Sequence, residues 1–403
     1  MPPAADGRSV LEQCSALPTF EANPATYMQT TSMAASTARL KLDRGRAEKL
    51  EMRHFVRKVG RDRPSRSRRP SATRPWEAAD PSPDVMGGRE PIADPKLSIV
   101  IVSYNCAPNL TACLQSLAAD GQAYSADVIV VDNASDDGTV ERVIERFPWA
   151  RVIANHANVG FARAMNQGLE STSCDVVLAL NPDTVVPPGA IAEAIAELER
   201  HAEVGMLGVK LVRPDGTFDH ACKRGFPTIS SSLYYFLGLS RLRPRSPRFA
   251  RYTAGQLGED ETGTVDAING AFMLVKREAV DDVGPLDERY WLYAEDIDWC
   301  HRFWDEGWKV LYWPGVRVVH RKGGSSGDIR SLALNRAFHR SMWLFYAKHV
   351  APEQPRVVSG LVWLGVWTKF GLSALANTMR RPPVHAWDEE RAADGGSAAD
   401  PRA

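Results

Sequence analysis

Between residues 97 and 180, short apolar runs alternate with segments of helical period, and this alternation limits the fold more than any other feature of the chain. Leu-Ser-Ile-Val-Ile-Val at 97–102 is almost continuously apolar and β-branched, which is typical of a strand buried on both faces. The segment 108–119 then places its apolar side chains on one helix face, before a second apolar run at 127–131. Strands that alternate with helices predict a mostly parallel sheet flanked by helices, joined by right-handed crossovers. The sequence therefore predicts the α/β class.

The remaining elements follow from the same patterns. Further strands are predicted at 151–154, 175–180, 204–212, 264–275, 308–312 and 316–320. Further helices are predicted at 140–147, 162–169, 191–200, 296–306 and 329–350. The segment 223–258 has no clear period, and it is predicted to be a variable loop.

The first 95 residues are rich in Pro, Ser, Ala and Arg, and they are predicted to be disordered. The stretch 39–74 carries 14 Lys or Arg against 4 Asp or Glu, although the whole chain has no net charge. This basic arm could attach to anionic lipid or nucleic acid, or it could be an extension without function. Basic tails without interleaved aromatic residues seldom specify a partner, so we favour the second interpretation and expect no nucleic-acid partner.

The cysteines indicate a reducing environment. No two of them form a Cys-x-x-Cys pair, and their spacing fits neither a zinc ribbon nor a disulfide framework. They are Cys14, Cys106, Cys113, Cys174, Cys222 and Cys300. The first 30 residues also lack a basic start followed by an apolar stretch, which is the pattern of a signal peptide. We therefore expect the folded part to be cytoplasmic.

An apolar segment at 357–376 carries Trp363, Trp367 and Phe370, with Lys369 past its middle. Its length of about 20 residues is the minimum for crossing a bilayer, but a buried lysine makes a transmembrane span costly. Two interpretations remain open: a helix lying in the membrane surface, and a helix packed on the domain. The predicted organisation is a disordered arm at 1–95, a folded domain at 96–350, an apolar helical tail at 351–380 and a disordered end at 381–403.

Asp132 directly follows the second predicted strand, which places it at the carboxyl edge of the sheet, where open α/β sheets form their ligand crevice. Its carboxylate could accept a hydrogen bond from the N3–H of a uracil or thymine ring. Asn133 and Ser135 would supply further polar contacts. An ordinary turn rich in Asx and Ser residues is the alternative.

The segment 158–168 is predicted to be a turn that enters a helix. Backbone N–H groups near Asn158 and Gly160, with Asn166 further along, could face an anion or sugar hydroxyl groups. A plain helix start explains the same pattern.

Asn181 and Asp183 follow a strongly apolar strand and are two residues apart, so both can point into one crevice. A divalent cation held by the carboxylate could neutralise a departing diphosphate and still leave sites open for phosphate oxygens. His320 ends a later strand and could add a neutral imidazole, which suits Mn²⁺ as well as Mg²⁺. A structural histidine is the alternative for His320.

Glu295 and Asp296 open a predicted helix, whose dipole stabilises a carboxylate at this end. An ionised carboxylate beside an acceptor hydroxyl would be the general base of a single displacement. Acidic residues are also common at helix starts without any catalytic role.

Together, these segments resemble the family 2 glycosyltransferases, and within them the rhamnosyltransferase-like branch. The resemblance covers residues 97 to about 348. The motifs that carry it, in order, are Ile-Val-Ile-Val-Ser-Tyr-Asn (99–105), Val-Val-Asp-Asn-Ala-Ser-Asp-Asp-Gly-Thr (130–139), Asn-Val-Gly-Phe-Ala-Arg-Ala-Met-Asn-Gln-Gly (158–168), Leu-Asn-Pro-Asp-Thr (180–184), Gly-Ala-Phe-Met-Leu-Val (270–275), Tyr-Ala-Glu-Asp-Ile-Asp-Trp-Cys (293–300) and Val-Val-His (318–320).

The resemblance implies a GT-A fold, a nucleoside-diphosphate sugar donor, Mg²⁺ or Mn²⁺, and inversion at the anomeric carbon. By motif position, Asp183 and His320 would hold the metal, Asp296 would be the base, and Glu295 would be its neighbour in the acceptor site. The donor contacts implied are Ser103, Asn105, Asp132, Asn133, Ser135, Asn158, Gly160, Asn166 and Asn181. Asn181 takes the first place of the family's Asp-x-Asp motif, so a single carboxylate should bind metal weakly without the donor.

The branch implies dTDP-L-rhamnose as donor and a lipid-linked or polysaccharide acceptor in cell-envelope glycan synthesis. A lipid acceptor would also explain the apolar tail and the basic arm, with the enzyme peripheral on the inner face of the plasma membrane. The alternatives are a UDP-sugar donor, such as UDP-galactofuranose or UDP-N-acetylglucosamine, and a non-catalytic sugar- or lipid-binding module. A dehydrogenase and a nucleotidyltransferase are disfavoured, because residues 104–109 contain no glycine.

Overall fold

The computed structural model describes residues 83–86, 96–121, 125–236, 238–243, 245–246, 248–321 and 331–379. The strands are β1 (Asp84–Met86), β2 (Leu97–Ser103), β3 (Asp127–Asp132), β4 (Arg151–Ala154), β5 (Val176–Leu180), β6 (Thr184–Val185), β7 (Val204–Val212), β8 (Lys223–Arg224), β9 (Gly263–Thr264), β10 (Ala267–Ile268), β11 (Phe272–Lys276) and β12 (Lys309–His320). The α-helices are α1 (Ala107–Ala119), α2 (Thr139–Arg146), α3 (Phe161–Glu170), α4 (Ala190–Glu199), α5 (Ile229–Phe236), α6 (Leu239–Leu242), α7 (Arg277–Val283), α8 (Glu295–Asp305), α9 (Leu332–Phe345) and α10 (Arg356–Met379).

Strands β4, β3, β2 and β5 lie side by side and run parallel, which confirms the α/β class. All seven residues of β2 are buried, as expected for a strand covered on both faces. Helix α3 packs closely on this strand at Gly168, where a Cβ atom would lie 2.2 Å from Val100 Cγ1. Because β2, β3 and β5 run parallel, Ser103, Asp132 and the residues after Leu180 meet at one edge of the sheet.

The other half of the sheet is mixed. Strand β11 is antiparallel to both β5 and β7, whereas β7 and β12 are parallel, and β12 is antiparallel to β6 and β9. The prediction of a mostly parallel sheet therefore holds only for the half built from residues 97–180. The strand–helix alternation that implies parallel order ends there, and the later strands are joined by irregular segments.

Three predicted elements differ in detail. The strand predicted at 264–275 is divided into β9, β10 and β11, with a turn around Gly270. The strands predicted at 308–312 and 316–320 form one strand, β12, whose register against β7 shifts between Trp313 and Arg317. The segment 223–258, which has no clear period, contains the short elements β8, α5 and α6.

The predicted disorder of residues 1–95 is wrong for β1, which pairs antiparallel with β4 through Val85 and Ile153. Apart from residues 83–86, the predicted arm lies outside the described residues. So does the predicted disordered end at 381–403.

The apolar tail forms α10, which has two different faces. One face packs on α9 and the π-helical turn Tyr346–Val350 that follows it. Asn335 donates a hydrogen bond of 2.6 Å to Ser373, and the hydroxyl groups of Tyr346 and Ser359 lie 3.0 Å apart. The other face is exposed and apolar, with accessible fractions of 56–75%. It consists of Val357, Leu361, Leu364, Leu372 and Leu375. By length and composition alone, α10 is also long and apolar enough to cross a membrane.

Candidate active site

Asp132 is 1% exposed and is held by three hydrogen bonds at the joined ends of β2 and β3. Its Oδ1 accepts from Ser103 Oγ at 2.9 Å and from Ser135 Oγ at 2.6 Å, and its Oδ2 accepts from the Ser135 backbone N–H at 2.8 Å. The Asn105 backbone N–H in turn donates to Ser135 Oγ. The structure thus brings together four of the predicted donor contacts, and Asp132 fixes the loops around it.

Asn133, Asn158 and Gly160 lie beside this network. The Asn133 side chain donates to the Gly160 carbonyl at 3.3 Å, and Asn158 Oδ1 accepts from the Gly160 N–H at 3.0 Å. Gly160 has a φ of 88°, and a Cβ atom there would lie 2.5 Å from Trp291 Cδ1. Only glycine combines this backbone conformation with such a close approach. The motif therefore joins the predicted donor loops to the segment that precedes α8.

Asn166 has a different place. It is 3% exposed, its Nδ2 donates to the Leu286 carbonyl and to Glu288, and its Oδ1 accepts from the Leu286 N–H. Both ends of the amide are used to hold α3 against the loop after α7. These hydrogen bonds join two parts of the fold, and the role of Asn166 as a donor contact stays a prediction.

Asp183 and His320 are brought together by the antiparallel pairing of β6 with the end of β12, where His320 lies opposite Thr184. His320 Nε2 is 3.3 Å from Asp183 Oδ1, and His320 Nδ1 is 3.2 Å from Asp219 Oδ2. Burial alone would lower the pKa of His320, but the two carboxylates outweigh it and raise the pKa to about 9. The predicted pair is thus a buried Asp–His–Asp cluster.

The donor set of this cluster fits a divalent cation. Among the described residues, Asp183 Oδ1 is buried and accepts no hydrogen bond of good geometry, and its nearest cationic neighbour is His320 Nε2 at 3.3 Å. A buried carboxylate oxygen without a partner is costly unless a cation satisfies it. The contact between Asp219 and the far nitrogen of His320 has the carboxylate–histidine arrangement that orients a metal-binding imidazole. Metal binding would have to displace the proton that His320 carries at neutral pH.

Asp296 lies in the first turn of α8 and is 13% exposed. Its Oδ2 forms an ion pair with Arg224 and accepts from the Gly270 N–H at 3.2 Å. The next residue, Ala271, accepts a backbone hydrogen bond of 3.1 Å from Asn181. The turn around Gly270 therefore connects Asp296 to the loop that carries Asp183.

The chain is strained just before α8. Tyr293 and Ala294 have φ values of 72° and 64°, in the left-handed region that is unfavourable for residues other than glycine. Helix α9 contacts this segment, because Ser341 donates to the Leu292 carbonyl at 2.9 Å and Phe338 packs edge-on against Tyr293. The position of Glu295 and Asp296 thus depends on α9.

Glu295 differs from its neighbour Asp296. It is 8% exposed, and its Oε2 has no hydrogen-bond partner. Burial, and next the charge of Asp296, raise the pKa of Glu295 to about 8. The pKa of Glu295 therefore lies well above that of an ordinary glutamate, which disfavours the carboxylate form that a base needs, so Asp296 is the better candidate for a base.

The raised pKa of Glu295 makes the stability of the protein depend on pH. The unfolded chain has an ordinary glutamate with a pKa near 4.5, so folding favours the protonated form, and this contribution is lost as the pH rises from 4.5 through 8. We expect the free energy of unfolding of the wild type, relative to Glu295→Gln, to fall by about 2–4 kcal/mol between pH 5 and pH 8. Urea unfolding at several pH values measures this. The exposed Glu278→Gln is the control, and parallel curves for wild type and Glu295→Gln would contradict the prediction.

Arg224 and Asp219 were not predicted from the sequence. Arg224 lies in the segment without a clear period, 72 residues from Asp296, and Asp219 lies 101 residues from His320. Another group of potential metal ligands, His301, Asp305 and His349, lies at the far end of α8 and contains none of the predicted ligands.

Comparison with known proteins places the chain in a family. Residues 98–283 match Glycosyl transferase family 2. The chain is 31% identical over 262 residues to N-acetylglucosaminyl-diphospho-decaprenol L-rhamnosyltransferase of Mycobacterium tuberculosis, covering 62% of this chain and 84% of the relative. It is 26% identical to rhamnosyltransferase WbbL of Escherichia coli, covering 55% and 82%.

Among solved structures, mannosyltransferase PcManGT from Pyrobaculum calidifontis, in complex with GDP-Man and Mn²⁺, has a TM-score of 0.45 and 19% identity. The match covers 78% of this chain and 79% of that structure. The family match and the mycobacterial relative agree with the motif order and with the α/β sheet. The chain therefore belongs to the family 2 glycosyltransferases, and its fold is of the GT-A class.

Proposed function

We propose that this glycosyltransferase moves L-rhamnose from dTDP-L-rhamnose to a hydroxyl group of a lipid-linked glycan, with inversion at the anomeric carbon. The observation that carries the proposal is the arrangement of Asp183, on the loop after β5, and Asp296, in the first turn of α8, which are connected through the turn at Gly270 and Ala271. Among the described residues, Asp183 has an oxygen without a hydrogen-bond partner. Asp296 forms an ion pair with Arg224 at the start of α8. The names of the mycobacterial and E. coli relatives support rhamnose, and the former supports a lipid diphosphate acceptor.

Asp183 and His320 would hold Mg²⁺ or Mn²⁺ with the donor diphosphate. The cation would supply positive charge to the departing diphosphate. Asp219 fixes the His320 ring, and Asp132, Ser103 and Ser135 fix the loops where the nucleotide base is expected. Asp296 takes the proton from the acceptor hydroxyl. The hydroxyl oxygen attacks the anomeric carbon on the face opposite the diphosphate.

The lipid acceptor and a peripheral position on the inner face of the plasma membrane are supported by α10. Its exposed leucine face has no acidic residue nearby in sequence, since residues 354–387 contain Arg356, Lys369, Arg380 and Arg381 but no Asp or Glu. Apolar side chains beside cationic ones favour an anionic membrane surface. Helix α9 links α10 to the segment before Glu295, so a membrane-bound α10 would bring the base close to a lipid-anchored acceptor.

Introducing charge on the exposed face of α10 should release the protein from membranes. We expect the double variant Leu361→Glu/Leu372→Glu to lower partitioning into vesicles with anionic lipid by about 10-fold or more, because two buried leucines contribute about 1.5–3 kcal/mol each. Vesicle co-sedimentation of the full chain measures the bound fraction. Leu242→Glu, at a residue that is 77% exposed elsewhere, is the matched control. Equal binding of the wild type and the double variant to vesicles would show that α10 does not form the membrane contact.

Donor identity is tested by calorimetry with dTDP-L-rhamnose, UDP-galactofuranose and UDP-N-acetylglucosamine, each with and without Mn²⁺ or Mg²⁺. Metal-dependent binding of the dTDP-sugar alone, followed by transfer to N-acetylglucosaminyl-diphospho-polyprenol, is the expected result. Preference for a UDP-sugar would overturn the assignment of rhamnose as the donor sugar, and the proposed glycosyltransferase activity would stand. Absence of binding to any donor would favour a non-catalytic module.

A further inference from the structure

Arg224 forms an ion pair with the carboxylate proposed to be the catalytic base, although it comes from a distant and irregular part of the chain. Its Nη2 contacts Asp296 Oδ2 and also lies 3.3 Å from the Ile268 carbonyl. Both side chains are largely buried, with accessible fractions of 17% for Arg224 and 13% for Asp296. In such surroundings a charge pair interacts far more strongly than it does in water.

The backbone around Arg224 is tied on both sides, so the guanidinium is held in place. Strand β8 pairs with β10, and the ammonium group of Lys223 donates to the carbonyls of Ala254 and Leu257 at 3.0 and 2.7 Å. After Arg224, the Phe226 N–H donates to Asp266 at 2.9 Å. The segment 223–258 therefore holds the guanidinium of Arg224 in a fixed position beside α8.

The two oxygens of Asp296 have different partners. Oδ2 accepts from Arg224 and from the Gly270 N–H, whereas within the described part of the chain Oδ1 accepts from the Ile297 N–H alone, at 2.8 Å. A carboxylate oxygen has two lone pairs, so Oδ1 retains one that could accept a proton from an acceptor hydroxyl. The pairing at Oδ2 thus determines which oxygen of Asp296 is available to accept the proton of the acceptor hydroxyl.

Arg224 also balances a concentration of acidic groups, since the first turn of α8 contains Glu295, Asp296 and Asp298. Adjacent buried carboxylates repel each other unless one of them is protonated or a cation compensates the charge. Burial and the charge of Asp296 raise the pKa of Glu295, and the Arg224 guanidinium lies against Asp296. A structural arginine would be expected to use all its donors, yet Arg224 Nε is buried and has no hydrogen-bond partner among the residues that the structure describes.

We infer that Arg224 is a positioning residue of the transfer reaction: it holds Asp296 at Oδ2 and directs Oδ1 to the acceptor hydroxyl. The inference rests on the proposed function, because it assumes that Asp296 is the base. Arg224 acts through Asp296, so its loss should impair turnover and leave the donor site unchanged.

The test measures sugar transfer by the full chain with the donor that wild type uses. We expect Arg224→Ala to lower kcat by about 100-fold with donor KM within about 2-fold of wild type, since loss of an oriented base costs 10²–10⁴-fold. Arg224→Lys, which keeps the charge, should recover part of the activity, and added guanidinium should stimulate Arg224→Ala but not wild type. Arg251→Ala, at an exposed arginine of the same segment, is the control. A kcat of Arg224→Ala within 3-fold of wild type, or no rescue by lysine and guanidinium, would overturn the inference.

A double-mutant cycle separates this inference from the proposed function. If wild type transfers no sugar from any donor, the proposed function fails, and the pair is then tested by thermal unfolding of Arg224→Ala, Asp296→Asn and the double variant. Coupled residues give non-additive shifts in Tm. Additive shifts would show that Arg224 does not support Asp296, whatever the reaction.

Discussion

Asp296→Asn is expected to lower kcat by about 10²–10⁴-fold, the range found for loss of a general base, with dissociation constants for the donor unchanged. Asparagine has nearly the same shape as aspartate, but its single amide oxygen can accept from only one of the Gly270 and Ile297 N–H groups, which donate to different oxygens of Asp296. It carries no charge, however, so it cannot take the proton of the acceptor hydroxyl. Steady-state transfer assays measure kcat, and calorimetry with the nucleotide sugar measures donor binding.

The control for this variant is Asp281→Asn, which changes an exposed carboxylate on α7. Thermal unfolding must accompany the assay, because Asp296→Asn leaves the Arg224 charge buried without an anion, and such a loss is strongly destabilising. If a folded Asp296→Asn variant retained more than a tenth of wild-type kcat, Asp296 would not be the base.

Asp183→Asn is expected to lower kcat/KM by about 10³-fold and to abolish the dependence of donor binding on Mg²⁺ or Mn²⁺. The amide removes the charge from the one oxygen in this cluster that is buried without a hydrogen-bond partner. Cation binding and the stabilisation of the departing diphosphate should fail together, since both depend on that charge. Donor titrations at several metal concentrations measure the effect.

Asp175→Asn is the matched control, since Asp175 lies just before the other end of β5 and is exposed. Asp183→Asn removes a charge that faces the buried His320 ring, so thermal unfolding must accompany the titrations. Metal-dependent donor binding that persists in Asp183→Asn would place the cation elsewhere, and the group of His301, Asp305 and His349 would then be the next candidate.

Some site residues were predictable because their position depends on local pattern. Asp132 and Asp183 each follow an apolar strand, and parallel strands necessarily end at the same edge of the sheet. Asp296 could be placed near a helix start because apolar residues of helical period follow it. In these cases the chemistry of the residue and the end of the element lie within a few positions of each other.

Asn166 and Glu295 show where local pattern is insufficient. An amide in the middle of a helix has the same sequence signature whether it binds a sugar or, as here, the Leu286 backbone 120 residues away. Glu295 and Asp296 are adjacent acidic residues, and only the packing around α8 makes the first a buried carboxyl group with a raised pKa and the second an ion-paired carboxylate.

The sequence by itself determined the α/β class, the parallel half of the sheet, the family and the order of the carboxylate motifs, because apolar periodicity and motif spacing are local properties. Only the tertiary structure decided the mixed second half of the sheet, the Asp219–His320–Asp183 cluster, the pairing of Arg224 with Asp296 and the two faces of α10. These features depend on contacts between residues far apart in the chain. Burial and charge balance at such contacts are properties of the packed fold.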